Sequence, residues 1–329
     1  MTAPPVARTQ DAPDASISAP ERRPVNWRHR LEYATLRVAT GLLGRLSFRR
    51  ASDLGAALGR LGYKPLGFRR DVVERQIAAA FPDWTEERVR STARAAYENL
   101  GRTTIEAAIL DRYDAAAVRA MVDEPANWHQ IEDGLRKGRG AILLTGHIGN
   151  WELAGAFLGA KGIRIEGVAR QMENPLFDAY LSRARRRLGI EIIRDADAVR
   201  RVPRLLRGGG AVVILFDQGA VGLASTWVPF FGRWAKTPRG PAVFAKRFGA
   251  PIFCGACLRK PDGRFAIEFE EITVPDTGDL EADVDRIVAD YSASLEKFVR
   301  QAPEQYFWHH RRWKHQRPGT PPQLGDPLQ

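Results

Sequence analysis

The sequence predicts an α/β protein, with a mixed, largely parallel central sheet flanked by helices and an N-terminal helical appendage. Three observations carry this. Short apolar runs next to glycine, Ala-Ile-Leu-Leu-Thr at 141–145 and Ala-Val-Val-Ile-Leu-Phe at 211–216, have the length and composition of buried strands. Stretches of helical spacing separate such runs, and alternating strands and helices favour a sheet covered on both faces. The N-terminal third, by contrast, is helical in pattern with few β-branched runs.

The elements follow in order. Residues 1–25 carry Pro4, Pro5, Pro13, Pro20 and Pro24 and no apolar core of signal-peptide length, which predicts a disordered tail. Residues 26–120 are expected to form a helical, membrane-associating region. Within it, 28–48 contains Leu31, Leu36, Val38, Leu42, Leu43 and Leu46, but Arg37 and Arg45 interrupt it. A spanning helix needs about 20 mostly apolar residues, so this one is expected to lie on a membrane surface; a soluble helix packed on the domain is the alternative. From 53 to 120 the helical pattern continues through Leu54, Leu58 and Leu61. An α/β catalytic domain is expected over 121–316. Its strands are placed at 141–145, 163–169, 190–193, 211–216, 251–258 and 264–269, and its helices at 150–161, 175–188, 197–207 and 280–300. Four prolines in 317–329 predict a loose C-terminal tail.

Composition bounds the function. The chain has 329 residues, 44% hydrophobic and 27% charged, which excludes wholesale disorder. Two cysteines cannot build a disulfide framework. The net charge of +11 predicts an anionic partner, and nine arginines against three acids over 183–207 concentrate it. No zinc finger, RNP-like aromatic motif or helix-turn-helix signature accompanies that charge, so no nucleic acid is expected as partner. Cys254 and Cys257 fall three apart in one strand, on opposite faces, with no second pair for a zinc site; core packing is the expectation, with no metal.

The richest segment is Gly-His-Ile-Gly-Asn-Trp-Glu-Leu at 146–153, at a strand-to-helix junction. Residues five apart on one helix sit about 140° from each other. His147 and Glu152 can therefore meet only if the histidine lies on the turn and the glutamate in the first helical turn. A carboxylate on one ring nitrogen fixes the tautomer and leaves the other free to accept a proton, which makes a general base without a protein nucleophile. A structural His near a Glu is the plainer alternative. A second polar cluster, Asp217-Gln218-Gly219, ends the strand at 211–216, and ligands of open α/β sheets bind beyond the carboxyl ends of strands. For Asp217 alone, a turn former or helix cap is the alternative.

The string from Gly146 to Gly155 resembles the His-x4-Asp/Glu signature of glycerolipid-type acyltransferases, and more narrowly that of the bacterial lipid A biosynthesis acyltransferases. The likeness runs through Arg170 and Asn-Pro-Leu-Phe-Asp at 174–178, Phe-Asp-Gln at 216–218, Val-Pro-Phe-Phe-Gly at 228–232 and Thr-Pro-Arg-Gly-Pro-Ala at 237–242. It closes at 303–308 and 310–314, covering about 27–314. This resemblance implies transfer of a fatty acyl chain from acyl-acyl carrier protein to a hydroxyl of a lipid A precursor, an anionic phosphoglycolipid, at the cytoplasmic face of the bacterial inner membrane. It implies no cofactor. His147 would be the base and Glu152 its orienting acid, while Asn150, Arg170, Asp217, Gln218 and Arg239 would bind substrate. Arg170 is also a candidate donor to the oxyanion. An acyltransferase for another glycolipid, such as a phosphatidylinositol mannoside, is the alternative; those relatives tend to carry Asp where Glu152 stands. His309 replaces a usually apolar residue and is assigned no role. The aromatic and basic residues at 306–314 fit either interfacial anchors or scaffold.

Overall fold

The computed structural model describes residues 24–219 and 224–328; the tail expected over 1–25 lies almost wholly outside them. Helices come first: α1 (Trp27–Leu43), α2 (Phe48–Tyr63), α3 (Arg70–Ala80), α4 (Glu86–Ile109) and α5 (Ala115–Met121). Side-chain caps set the starts of α1, α2, α4 and α5, from Asn26, Ser47, Thr85 and Asp114, each accepting a hydrogen bond from an N–H of the first turn. After a two-residue β1 (Val122–Asp123) and α6 (His129–Arg136) come β2 (Ala141–Thr145), α7 (Trp151–Ala160), β3 (Ile165–Ala169), α8 (Pro175–Arg187), β4 (Ile190–Arg194), α9 (Ala198–Arg207) and β5 (Ala211–Leu215). A hairpin, β6 (Ser225–Phe230) and β7 (Arg233–Pro238), then precedes α10 (Gly240–Phe248), β8 (Ile252–Arg259), β9 (Phe265–Ile272) and α11 (Leu280–Gln301).

Seven strands form one sheet in the order β1-β9-β8-β2-β5-β3-β4, every pair parallel except β8 with β9. The mixed, largely parallel sheet is therefore as expected. Alternation along the strands fills both faces: Ile142, Leu144, Val212 and Cys254 join one core cluster, and Ala141, Leu143, Ala211 and Cys257 the other. The two cysteines thus pack on opposite sides of the sheet, and burial raises the Cys254 thiol to about 12. The hairpin β6–β7 and helices α6 and α10 were not expected; Pro229, Gly232 and Pro238 obscured the strand pattern there.

One expectation needs correcting. Residues 317–328 are not a loose tail: a 3-10 turn covers Pro322–Leu324, Asp326 is buried in an ion pair with Arg311, and Arg233 donates to the Gly325 carbonyl at 2.8 Å. The proline-rich composition there sets a rigid turn instead. Of the two alternatives left open for the aromatics at 306–314, burial favours scaffold: Tyr306, Trp308 and Trp313 are 5%, 1% and 0% exposed.

The α2–α4 crossing is close because both helices present glycine. A Cβ on Gly101 would lie 2.1 Å from the Gly55 carbonyl oxygen, and one on Gly59 2.1 Å from that of Tyr97. Neither contact can be relieved by turning a side chain, so the helices must separate. Gly101→Ala is expected to destabilise the protein by about 2–3 kcal/mol in denaturant titration, despite the ~1 kcal/mol by which alanine favours an isolated helix. An unchanged midpoint would show that the helices do not meet this closely. Among the described residues no helix is long and apolar enough to cross a membrane.

Candidate active site

Adjacent parallel strands bring the two polar clusters together. β2 and β5 pair with Thr145 opposite Leu215, so the residues after each strand emerge side by side. His147 and Asp217, seventy positions apart, meet there: Nδ1 of the ring lies 2.8 Å from Asp217 Oδ1, and the His147 backbone N–H donates to Oδ2 at 2.9 Å. Asp217 is 1% exposed. Burial raises its pKa, but the charge and hydrogen bonds of His147 outweigh this and hold it below the ordinary carboxylate range. An ionised carboxylate only accepts, so Nδ1 carries the hydrogen and Nε2 is the basic nitrogen. Burial lowers the His147 pKa, yet Asp217, through charge and hydrogen bond, and Glu152, through space, raise it above the ordinary value overall.

Glu152 does not bond to the ring. Its carboxylate is taken by Arg185 of α8, at 2.5 Å from Nη2 and 3.1 Å from Nε. The expected histidine–glutamate hydrogen bond is thus replaced by a histidine–aspartate one. The reason is tertiary: β5 delivers Asp217 to the Nδ1 side of the ring, while α8 offers a guanidinium that claims both glutamate oxygens. Trp151 and Phe307 flank the imidazole, with ring centroids 5.0 and 5.9 Å away. The Gln218 amide nitrogen lies 3.3 Å from Nδ1 and 3.4 Å from Nε2.

The turn that carries His147 is pinned on every side. Gly149 adopts φ 61° and packs so closely on β8 that a Cβ would sit 1.9 Å from the Cys257 carbonyl oxygen. The Asn150 N–H donates to that same carbonyl, the Gly149 N–H to Gln305, and the Phe307 N–H to His147 itself. Asn150, expected to bind substrate, is fully buried and structural instead. Its Oδ1 caps α7 by accepting from the Leu153 N–H at 2.9 Å, and its Nδ2 donates to Glu106 at 2.7 Å. Glu106 is itself 0% exposed and held by both terminal nitrogens of Arg259 at 2.8 Å.

The other two expected substrate residues are held in ion pairs. Arg170 is largely exposed and pairs with Asp195 at 3.5 Å. Arg239 pairs with Glu281 at 2.8 Å and lies 3.8 Å from Asp285, both on α11. Neither makes a described contact with His147.

Several residues now placed around the site were not singled out. The Tyr306 phenol lies against Asp217; burial and that carboxylate keep it neutral. Arg312 is buried, donating to the Lys236 carbonyl and to Thr237 at 2.8 and 2.6 Å, and its charge supports the ionised Asp217. Burial pushes His310 down to about 4, so it is neutral beside the catalytic candidates. Phe307 also lines an apolar cavity of about 490 Å³ between α2, α4 and 307–310, with Leu58, Phe68, Tyr97, Leu100 and Ile105. His309 lines this cavity too, stacked on Phe307. For Tyr306, Phe307, His310 and Arg312 the sequence signal was the resemblance at 303–314, which assigned them no part in the site.

Comparisons with known proteins identify the family. Residues 24–315 match the model of the bacterial lipid A biosynthesis acyltransferase family. The chain is similar to the lipid A biosynthesis lauroyltransferase of Escherichia coli, 27% identical over 82% of this chain and 86% of the relative. It is also similar to the palmitoleoyltransferase of lipid A biosynthesis from the same organism, 24% identical over 79% and 84%. A phosphatidylinositol mannoside acyltransferase of Mycolicibacterium smegmatis is 23% identical over 70% and 75%.

Proposed function

We propose, for a chain that belongs to the bacterial lipid A biosynthesis acyltransferase family, that it moves a fatty acyl group from acyl-acyl carrier protein to a hydroxyl of a lipid A precursor. The observation that carries the reading is the buried Asp217 bonded to His147 Nδ1 at 2.8 Å, which directs the basic Nε2 away from the carboxylate at the mouth of two parallel strands. Nε2 takes the proton of the acceptor hydroxyl as its oxygen attacks the thioester carbonyl. The new C–O bond forms, the C–S bond breaks, and the imidazolium returns the proton to the leaving carrier thiolate. Asp217 and Glu152 stabilise the imidazolium in between. The apolar cavity lined by Phe307, whose ring flanks the imidazole, offers apolar walls for a hydrocarbon chain near the base.

The reading places the enzyme at the cytoplasmic face of the inner membrane. Helix α1 leaves Trp27, Leu31, Val38 and Leu42 exposed, and α2 leaves Leu54, Leu58 and Leu61 exposed, followed by Leu66 and Phe68. At 17 residues α1 is ~25 Å long, short of a ~30 Å hydrocarbon core, so the exposed face would lie in the interface. Incubating the purified protein with acyl-acyl carrier protein and either a lipid A precursor or a phosphatidylinositol mannoside tests the reading. Acylation of the lipid A precursor is expected, with underacylated lipid A in a strain lacking the protein. Transfer to the mannoside alone would favour the second glycolipid, to which the mycobacterial relative's name points.

A further inference from the structure

A cleft of about 340 Å³ lies between α1, the end of α4 and α8, away from the imidazole. Five arginines line it: Arg37 and Arg45 at α1, Arg112 after α4, and Arg183 and Arg187 on α8. One carboxylate, Asp111, lines it too and is taken by Arg187 at 2.9 Å. Arg45, Arg112 and Arg183 make no ion pair with any described residue. All five arginines are exposed, so the cleft is charged and open to solvent. Helix α1 contributes Gly41 and Gly44 here, leaving room between the guanidinium groups.

From this arrangement we propose that the cleft seats a phosphomonoester carried by a lipid headgroup. Four positive charges in excess of Asp111 face one solvent-open volume, and an anion seated there meets several guanidinium groups at once. A phosphomonoester carries nearly two charges and three acceptor oxygens at neutral pH, and guanidinium forks bind such oxygens in pairs. A phosphodiester offers one charge and fewer free oxygens. The lipid source follows from α1, which carries exposed Trp27, Leu31, Val38 and Leu42 as well as two of the arginines, so an interfacial helix brings the cleft to headgroup depth. The other wall is α8, whose Arg185 holds Glu152, and a headgroup fixed there is fixed relative to the catalytic loop. The lipid origin of the group rests on the membrane-acting enzyme proposed above. The phosphate site itself is measured by binding without turnover, so the two can fail separately.

Co-sedimentation of the full chain with phosphatidylcholine vesicles provides the test. One set contains phosphatidic acid, a monoester, and another phosphatidylglycerol, a diester, at equal total charge. The expected result is tighter binding to the monoester, and a loss of about tenfold or more for that lipid in Arg45→Gln/Arg183→Gln. Arg90→Gln/Arg286→Gln removes the same charge from exposed arginines elsewhere and is expected to bind as the unaltered protein does. Equal affinity for the two lipids, or equal losses in both double variants, would reduce the effect to diffuse surface charge and overturn the site. Displacement from monoester vesicles by millimolar inorganic phosphate would support it. Binding of inorganic phosphate at the cleft with vesicle affinity untouched would overturn the lipid as the source.

Discussion

Asp217→Asn is expected to lower turnover by about 10³- to 10⁴-fold with the fold intact, close to the loss expected for His147→Ala. The carboxylate accepts from two donors of one residue, the ring Nδ1–H and the backbone N–H of His147. An amide has one oxygen for the two, so its NH₂ group faces one of them. If it faces the ring, Nδ1 becomes the acceptor and Nε2 keeps the hydrogen, which removes the base; loss of this kind is worth three to four orders of magnitude, about 10³ to 10⁴, in other histidine–aspartate systems. The pH profile gives a second readout. A neutral base is required, so activity falls as pH drops through the His147 pKa, which is raised here; the acid limb of kcat/KM is expected above ~6.5. In Asp217→Asn the lowering effect of burial is less opposed, and the limb moves to lower pH. Glu152→Gln is expected to lose less rate and to shift the limb less, because Glu152 acts on the ring only through space and holds Arg185 directly. If Glu152→Gln erased activity and Asp217→Asn did not, the pairing drawn from the geometry would be wrong.

The second large effect concerns stability. Removing the Glu106 side chain as Glu106→Ala is expected to cost about 3–5 kcal/mol in reversible denaturation, the range for leaving one member of a buried pair uncompensated. Arg259 loses both of its carboxylate contacts, and the Asn150 amide loses its acceptor at the N-cap of α7. Glu106→Gln retains an acceptor for Asn150 but not the charge, and is expected to fall between Glu106→Ala and the native protein. The combined Glu106→Leu/Arg259→Met change removes both charges and is expected to be milder than Glu106→Ala alone. A loss near zero in Glu106→Ala would show that the pair is solvated in solution and does not anchor the catalytic turn. Since that turn holds His147, kcat should drop along with stability even in variants still folded at the assay temperature.

Most of the α/β domain was legible because its signals are local. The run Ala-Ile-Leu-Leu-Thr is apolar and buried at its first four positions, as a strand covered on both faces must be, and it is β2 to the residue. Asn174 followed by Pro175 marks the start of α8 through a side-chain cap and a fixed φ. The hairpin β6–β7 was illegible for the converse reason: prolines and a glycine lie inside it, and a two-stranded ribbon lacks the uniform burial that makes a central strand recognisable. The prolines of 317–328 likewise carry no information about Arg233 and Arg311, the residues that secure that segment.

At the site, the sequence by itself determined which residue could be the base and which polar groups stand at a neighbouring strand end: His147 on a glycine-bounded turn after one strand, and Asp217 and Gln218 after another. Spacing along the chain favoured Glu152 as the partner because it is five residues away, whereas Asp217 is seventy. Only the tertiary structure decided between them. Sheet order sets β5 directly beside β2, and hydrogen-bond register places Thr145 opposite Leu215, so the distant carboxylate arrives within 2.8 Å. Arg185, delivered by α8, takes the near one. Hydrogen bonds and ion pairs reach about 3 Å whatever the separation in sequence, and which groups come that close is a property of strand order and helix packing, written in no single segment of the chain.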